Sequence, residues 1–270
     1  MGGEIRVGIS GWRYEPWRGV FYPKGLPHRA ELRYAAHRLD TIEVNGSFYS
    51  LQRPSSYRSW YDETPDDFVF AVKGPRFITH MKKLRGVEAA LANFFASGPL
   101  ALSDKLGPFL WQLPPNLPFE PARMDEFFSQ LPRSAAEASY LARRHEERVA
   151  GREWTGTDAD RPLRHAVEVR HPSYDTAAFL DLARAHQVAA VLSDSPERWP
   201  VFRAPTTDFV YVRLHGAQEL YASGYDDESL DGWAKTVKGW LPRDVFVYFD
   251  NDVKAHAPRD AMTLAAKLRD

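Results

Sequence analysis

The sequence predicts an α/β fold, a TIM (β/α)8 barrel built as a single domain over residues 1–270. Three observations carry this expectation. Eight short runs of β-branched and aromatic residues alternate with segments of helical periodicity along the chain. About 250 residues is the usual length for eight such units. Most of the runs end in a polar side chain of one parity while the other parity stays apolar. An open doubly wound sheet is the rival; it loses support because no Gly-rich dinucleotide fingerprint, P-loop or G-x-S-x-G elbow is present.

Residues 5–9 form the first strand, ending in Ser10-Gly11-Trp12. Tyr14-Glu15-Pro16-Trp17 and Phe21-Tyr22-Pro23 then make an aromatic loop punctuated by proline. Leu32, Ala35, Ala36 and Leu39 recur at helical spacing over 31–39 and lead into a strand at 41–45. A helix at 55–62 carries Tyr57, Trp60 and Tyr61, and a third strand, 68–73, ends in Lys73. The helix at 87–96 precedes a fourth strand at 109–113, stopped by Pro114-Pro115, and a short helix follows at 124–131. Over 134–161 the alternation lapses, and the mixed-charge run Arg143 to Arg148 reads as an inserted, solvated segment, with a basic face for an acidic partner as the alternative.

The unit resumes with a strand at 165–170, where Ala166, Glu168 and Arg170 share one face and Val167 and Val169 the other. Pro172 ends it, and a helix follows at 176–186. Strands at 188–194, 209–215 and 245–250 complete the eight. Between and after them come a helix at 230–241 and a closing helix at 258–268 that begins with proline.

Thirty-five basic and thirty-six acidic residues leave a formal charge of −1, which argues against wholesale coating of a polyanion. The absence of cysteine excludes disulfides, thiolate metal sites and a cysteine nucleophile. The start lacks a basic segment with a long apolar core, and no run approaches the ~20 apolar residues of a membrane span. The expectation is a soluble, cytoplasmic protein, in which the Asn45-Gly46-Ser47 sequon is chance.

In a barrel, inward residues at the C-terminal ends of the strands converge on one mouth. Here these are Ser10, Glu43 with Asn45, Lys73, Gln112, Glu168 with Arg170, Asp194, Arg213 with His215, and Asp250 followed by Asn251 and Asp252. Glu168 and Arg170 alone read equally well as an ion pair plugging the barrel. So many polar tips on one rim cost too much to be filler, and they point to a ligand site. Lys73, Arg170 and Arg213 suit an anionic group, because a guanidinium binds phosphate or carboxylate with two parallel hydrogen bonds. Glu43, Glu168 and His215 are the candidate catalytic acids and bases. Ser10, Trp12, Asn45, Tyr49, His80, Gln112, Asp250 and Asn251 join the three cations as candidate substrate contacts.

A divalent metal on Glu43, Glu168, Asp194, His215 and Asp250 is the alternative; three cations at the same mouth and the lack of an H-E-x-x-H motif oppose it. The sequence assigns no metal ligands, cofactor or oligomeric state. Trp12, Tyr14, Trp17, Phe48, Tyr49, Phe77 and Tyr174 fall in loops after strands, where they either pack on the rim or stack a base or sugar.

Gly8-Ile9-Ser10-Gly11-Trp12, Glu43-Val44-Asn45-Gly46-Ser47-Phe48-Tyr49, Lys73-Gly74-Pro75-Arg76-Phe77-Ile78-Thr79-His80, Lys105-Leu106-Gly107-Pro108, Gln112-Leu113-Pro114-Pro115, Glu168-Val169-Arg170-His171-Pro172-Ser173, Tyr211-Val212-Arg213-Leu214-His215-Gly216 and Tyr248-Phe249-Asp250-Asn251-Asp252 together resemble the YecE-like family, a domain of unknown function. The resemblance spans almost the whole chain. It implies a TIM barrel with an open polar pocket at the strand C-termini, similar to the barrels of metal-dependent sugar isomerases and apurinic endonucleases, and supplies no activity of its own. Two departures stand out: 134–161 is longer than in the shorter members, and Asp250 stands where many carry asparagine.

The functional expectation is an enzyme doing acid/base chemistry on a small anionic substrate, a sugar phosphate or nucleotide. The alternative is a non-catalytic nucleic-acid-binding protein using the same mouth, and a third reading makes the rim a protein partner surface.

Overall fold

Period-two alternation decides the architecture. Every strand turns one set of side chains outward onto helices and the other inward onto the barrel axis. In the computed structural model, which describes residues 2–196 and 198–269, the strands are β1 (Ile5–Ser10), β2 (Thr41–Val44), β3 (Val69–Lys73), β4 (Leu106–Gln112), β5 (His165–Glu168), β6 (Val188–Ala190), β7 (Leu192–Asp194), β8 (Phe209–Leu214) and β9 (Asp244–Phe249). They pair in the order β6-β5-β4-β3-β2-β1-β9-β8-β7, and all the ladders are parallel. The fold is a TIM barrel with nine strands where the sequence predicts eight.

The extra strand is the predicted sixth one cut in two at Val191. Its first half pairs with β5, Ala190 opposite Val167, and its second half with β8, Leu192 opposite Val212. One continuous stretch of chain thus hands the ring from β5 to β8. Val191 keeps its own bond, its N–H donating to the Val167 carbonyl at 3.0 Å.

The outer faces of the strands carry Val7, Ile9, Ile42, Val44, Phe70, Val72, Phe109, Trp111, Val167, Val212, Val245 and Val247, all buried in the main core beneath the helices. The inner faces form a second, smaller cluster of Ala71, Leu110, Ala166, Ala189, Val191, Phe209, Tyr211, Phe246 and Tyr248. Two residues further along the same parity, Ala71 gives way to Lys73, Leu110 to Gln112, Ala166 to Glu168, Tyr211 to Arg213 and Tyr248 to Asp250. An apolar layer therefore closes the barrel below, and a charged layer lies directly on it. Gly8 is the inward residue of β1, where a Cβ would come within 1.8 Å of the Thr41 carbonyl oxygen, so the β1–β2 approach admits only glycine.

The helices are α1 (Glu31–Ala36), α2 (Gly46–Tyr49), α3 (Pro54–Asp62), α4 (Glu88–Ala96), α5 (Pro121–Ser129), α6 (Ala135–Ala142), α7 (Ala177–Ala185), α8 (Asp227–Lys238) and α9 (His256–Arg269). Their starts are written locally: proline opens α3 and α5, and Ser134, Thr176 and Asp226 accept backbone N–H bonds at the starts of α6, α7 and α8. Among the described residues no helix is long and apolar enough to cross a membrane.

The 134–161 segment is more than a solvated insertion. Helix α6 buries Ala135, Ala138, Ser139 and Ala142 and packs on α4. Asn93 of α4 holds Glu146 twice, Nδ2 donating to Oε2 at 2.6 Å and Oδ1 accepting the Glu146 N–H at 2.8 Å. Arg144 pairs with Glu88. The charged run does lie on the outside, with Arg143, Arg144, Glu146, Glu147 and Arg148 all exposed.

Candidate functional site

Arg213 is the hub of the charged layer. It enters from β8 with no exposed surface, and its guanidinium spans the barrel. Nε and Nη2 hold the two oxygens of Glu43 at 3.1 and 3.0 Å; Nη1 donates to Glu168 Oε2 at 2.6 Å. Nη2 also lies 2.9 Å from Asp250 Oδ2 and 3.3 Å from Ser10 Oγ. Side chains from β1, β2, β5 and the end of β9 are thereby drawn onto one cation. Tyr211, two residues earlier on the same face, donates to Glu43 Oε2 at 2.6 Å, so both oxygens of Glu43 are occupied.

Glu168 is gripped from above as well, by Arg170 through Nε and Nη2 at 2.6 Å each. Burial pushes the Glu168 carboxyl up, but Arg170 and Arg213 outweigh it and hold it well below the usual carboxylate range. Burial likewise works against Asp250, and Arg213 with His215 reverses the effect, so Asp250 stays ionised. On Arg213 burial works to lower the pKa, and Asp250 and Glu43 more than compensate, so its charge is firmly fixed.

His215 stands one step above this layer. Its Nδ1 lies 3.0 Å from Asp250 Oδ2, and an ionised carboxylate can only accept, so Nδ1 carries the proton. Nε2 is then a bare lone pair. It is buried with no hydrogen-bond partner among the described residues, 3.7 Å from Glu168 Oε2. Burial lowers the His215 pKa despite the opposing pull of Asp250, which keeps the ring neutral at pH 7.

Lys73 closes β3 over the Phe48 ring, Nζ 4.6 Å from its centroid. Burial and the nearby Arg213 bring its pKa down to about 8. With Lys73 protonated, three cations (Lys73, Arg170, Arg213) balance three carboxylates (Glu43, Glu168, Asp250). His80 sits edge-on to the same Phe48 ring, 5.1 Å between centroids, and burial with Arg170 and Lys73 depresses its pKa to about 4.

The expected residues thus gather, but the expected open pocket is closed at its centre. Glu43, Glu168, Arg213 and His215 are fully buried, whereas Lys73, Gln112 and Asp250 keep 7–8% of their surface. Arg170 lies over the Trp199 ring, its Cζ 3.8 Å from the centroid, and Trp199 and Tyr221 meet His215 edge-on at 5.0 and 5.4 Å. The loops after β7 and β8 therefore roof the mouth. Two corrections follow. Arg170 and Arg213 are committed to carboxylates, which leaves no free guanidinium fork for an anionic ligand. Asn251 faces away from the mouth, its Nδ2 donating to Asp260 Oδ2 at 2.8 Å and to the Ser223 carbonyl at 2.9 Å.

Trp12, Asn45 and Tyr49 fall beside the centre, not in it. With Tyr14, Gln52 and Trp60 they line a cleft of about 300 Å³ at the ends of β1 and β2. Trp12 packs edge-on to Trp60 at 5.2 Å, and Tyr49 is 72% exposed. Tyr14, Trp17 and Tyr22 take the packing role: they bond to the carbonyls of Ser10, Asp252 and Trp12 and staple the first loop to the rim. Trp199 and Tyr221 are the participants that sequence reasoning missed; Tyr211 falls in the polar set with Arg213 and His215 but not among the candidate site residues.

The donor set does not suit a divalent ion. The oxygens of Glu43 and Glu168 are taken up by Arg213, Arg170 and Tyr211, and among the described residues no group of three or more histidine and carboxylate side chains is placed to hold a metal.

Against known proteins, the chain is 30% identical over 130 residues to YecE of Escherichia coli K12, a match covering 47% of this chain and 44% of that protein. The chain thus matches less than half the length of that relative. It is 24% identical to YunF of Bacillus subtilis over 92% of this chain and 89% of that one. A crystal structure of a DUF72 family protein from Thermotoga maritima superposes with a TM-score of 0.77 at 25% identity, covering 99% of this chain and all of that one. The barrel itself is shared more widely. D-psicose 3-epimerase from Clostridium cellulolyticum matches with a TM-score of 0.52 at 10% identity, covering all of this chain and 98% of that one. The 3-keto-D-glucoside 4-epimerase YcjR of E. coli matches at 0.51 and 12%, covering 99% of each. The family profile described as a protein of unknown function, DUF72, matches residues 6–270, and the chain belongs to that family.

Proposed function

We propose that this protein is an enzyme that moves a proton at carbon or oxygen of a small polyhydroxylated carbonyl compound, a sugar, with His215 as the base. The observation that carries the reading is the Asp250–His215 pair. Asp250 fixes the tautomer, burial keeps the ring neutral, and Nε2 is buried without a hydrogen-bond partner among the described residues. An unpaired buried nitrogen costs roughly 1–3 kcal/mol, an expense that a base waiting for substrate accounts for. Asp250 positions the ring; Arg213, fixed by Glu43, supplies a permanent positive charge beneath the place where an enolate or alkoxide oxygen would develop.

A neutral, hydroxyl-bearing substrate fits better than a phosphorylated one, because the guanidinium groups are already neutralised by carboxylates. The same pairing weighs against nucleic acid held at the mouth, which needs surplus positive charge. Two proteins named as sugar epimerases share the barrel fold, and a sugar substrate is in keeping with that fold-level likeness. Substrate reaches Nε2 when the Arg170–Trp199 pair lifts, as closing loops in other enzymes do.

The test is proton exchange. Aldoses and ketoses are incubated with the protein in D2O, and loss of the proton beside the carbonyl is followed by NMR. The reading expects exchange for at least one sugar, falling by roughly 10²–10⁴ in His215→Gln. Exchange unaffected by that substitution, or absent across the whole series, would overturn it.

A further inference from the structure

Lysines are rarely buried, and this barrel buries two of them in different ways. Lys105, 3% exposed, is fully used: Nζ donates to the Tyr61 and Thr64 carbonyls at 2.7 and 2.8 Å and to Thr64 Oγ1 at 3.3 Å. Lys73, 7% exposed, makes no hydrogen bond or ion pair with any described residue; its ammonium rests on the Phe48 ring. Its backbone is pinned, since Ser47 Oγ donates to the Lys73 carbonyl at 2.6 Å. The side chain is held at the C-terminal end of an inner strand position, where TIM barrels place their reacting groups.

A lysine that merely balanced charge would pair with one of the carboxylates whose charges act on it, Glu43, Asp250 or Glu168. Those carboxylates are paired instead with Arg213, Arg170, Tyr211 and His215, and Lys73 is left without an ion pair among the described residues. Arg213 beside it and burial around it are the two devices that make a lysine amine nucleophilic at neutral pH. With its pKa near 8, roughly a tenth of Lys73 is uncharged at pH 7, against less than a thousandth of an ordinary lysine.

We propose that Lys73 captures the substrate's carbonyl carbon as an iminium, so that the ligand class is an open-chain aldose or ketose. The free amine adds to the carbonyl, a C–N bond forms as the C–O π bond breaks, and the oxygen takes up a proton. The resulting carbinolamine loses that oxygen as water. Overall an ammonium and a carbonyl become an iminium and water, with no oxidant and no change of charge. The iminium keeps the positive charge that balances the three carboxylates. It also acidifies the neighbouring C–H, the proton that His215 would remove. The inference rests on the proton-transfer reading above and adds a covalent step to it.

Reductive trapping tests it in the unaltered protein. Dihydroxyacetone and sodium cyanoborohydride are added at pH 7, and adducts are located by peptide mass spectrometry. Lys73 is expected to be labelled at least about tenfold faster than the exposed Lys24, Lys82 and Lys83, the direction its larger free-amine fraction dictates. Lys105, whose amine is committed, is expected to stay unlabelled. Labelling of Lys73 no faster than that of the exposed lysines overturns the proposal. Solvent deuterium uptake in parallel samples separates the two ideas: uptake without a Lys73 adduct rejects the iminium and leaves the base, whereas a Lys73 adduct without uptake supports the iminium and rejects the base.

Discussion

Arg213 and Glu43 meet inside the barrel as a two-pronged ion pair, Nε to Oε2 at 3.1 Å and Nη2 to Oε1 at 3.0 Å, with no exposed surface on either residue. Such a pair contributes little net stability while intact, because desolvation offsets the attraction. Breaking it is another matter, since the partner's charge stays buried.

Arg213→Met is accordingly expected to cost about 3–5 kcal/mol or to prevent folding, because Glu43, Glu168 and Asp250 would lose their common counter-ion together. Denaturant unfolding measures this. In Arg213→Met combined with Glu43→Gln, the loss should be smaller than the sum of the two single losses.

Lys105→Met is expected to lower stability by about 2 kcal/mol, since the carbonyls of Tyr61 and Thr64 lose a charged donor at the end of α3. Deuterium uptake into a responsive sugar should be unchanged. That combination separates the structural lysine from Lys73.

Asp252 gives the pH dependence a definite sign. Burial and the adjacent Asp250 raise its pKa to about 6, above the ordinary 3.8. The folded state therefore binds this proton more tightly than the unfolded chain. The associated stability is fully present below about pH 4 and is lost as pH rises through 6. The stability of Asp252→Asn relative to wild type, measured by denaturant unfolding, should therefore shift in the variant's favour as pH rises from 4 to 7.

Trp199→Ala removes the platform under Arg170 and the edge covering His215. Diethylpyrocarbonate should then modify His215 roughly tenfold faster than in the wild type, the factor that about 1.4 kcal/mol of lost closure produces. An unchanged rate, read by mass spectrometry at that residue, would mean that the roof is not Trp199.

Much of this site was legible from alternation alone. Glu43, Lys73, Gln112, Glu168 and Arg213 share the inward parity of strands whose other face is apolar, and a parallel barrel brings strand ends together whatever their separation in sequence. The reading failed where that periodicity stops. Asn251 lies beyond the end of β9, so parity said nothing about its direction, and Asp260 and Ser223 claimed it. Trp199 sits in a loop without periodicity, and nothing local announces that Arg170 will lie on it. Helix α6 hid because its buried face is Ala135, Ala138, Ser139 and Ala142, too small to stand out as apolar, although Ser134 caps its start by accepting the Glu137 N–H and Glu137 reaches back to the Arg133 N–H. Burial of the charges was also illegible: whether paired ions face water depends on the loops above them.

The most direct test of the account is the protonation state of His215, read by nitrogen-15 NMR titration of the wild-type protein. The account predicts a neutral ring with its proton on Nδ1 at pH 7, titrating below the ordinary 6.5. A proton on Nε2, or a midpoint at or above 6.5, would contradict it, because the base on which the proposed chemistry depends would then be absent.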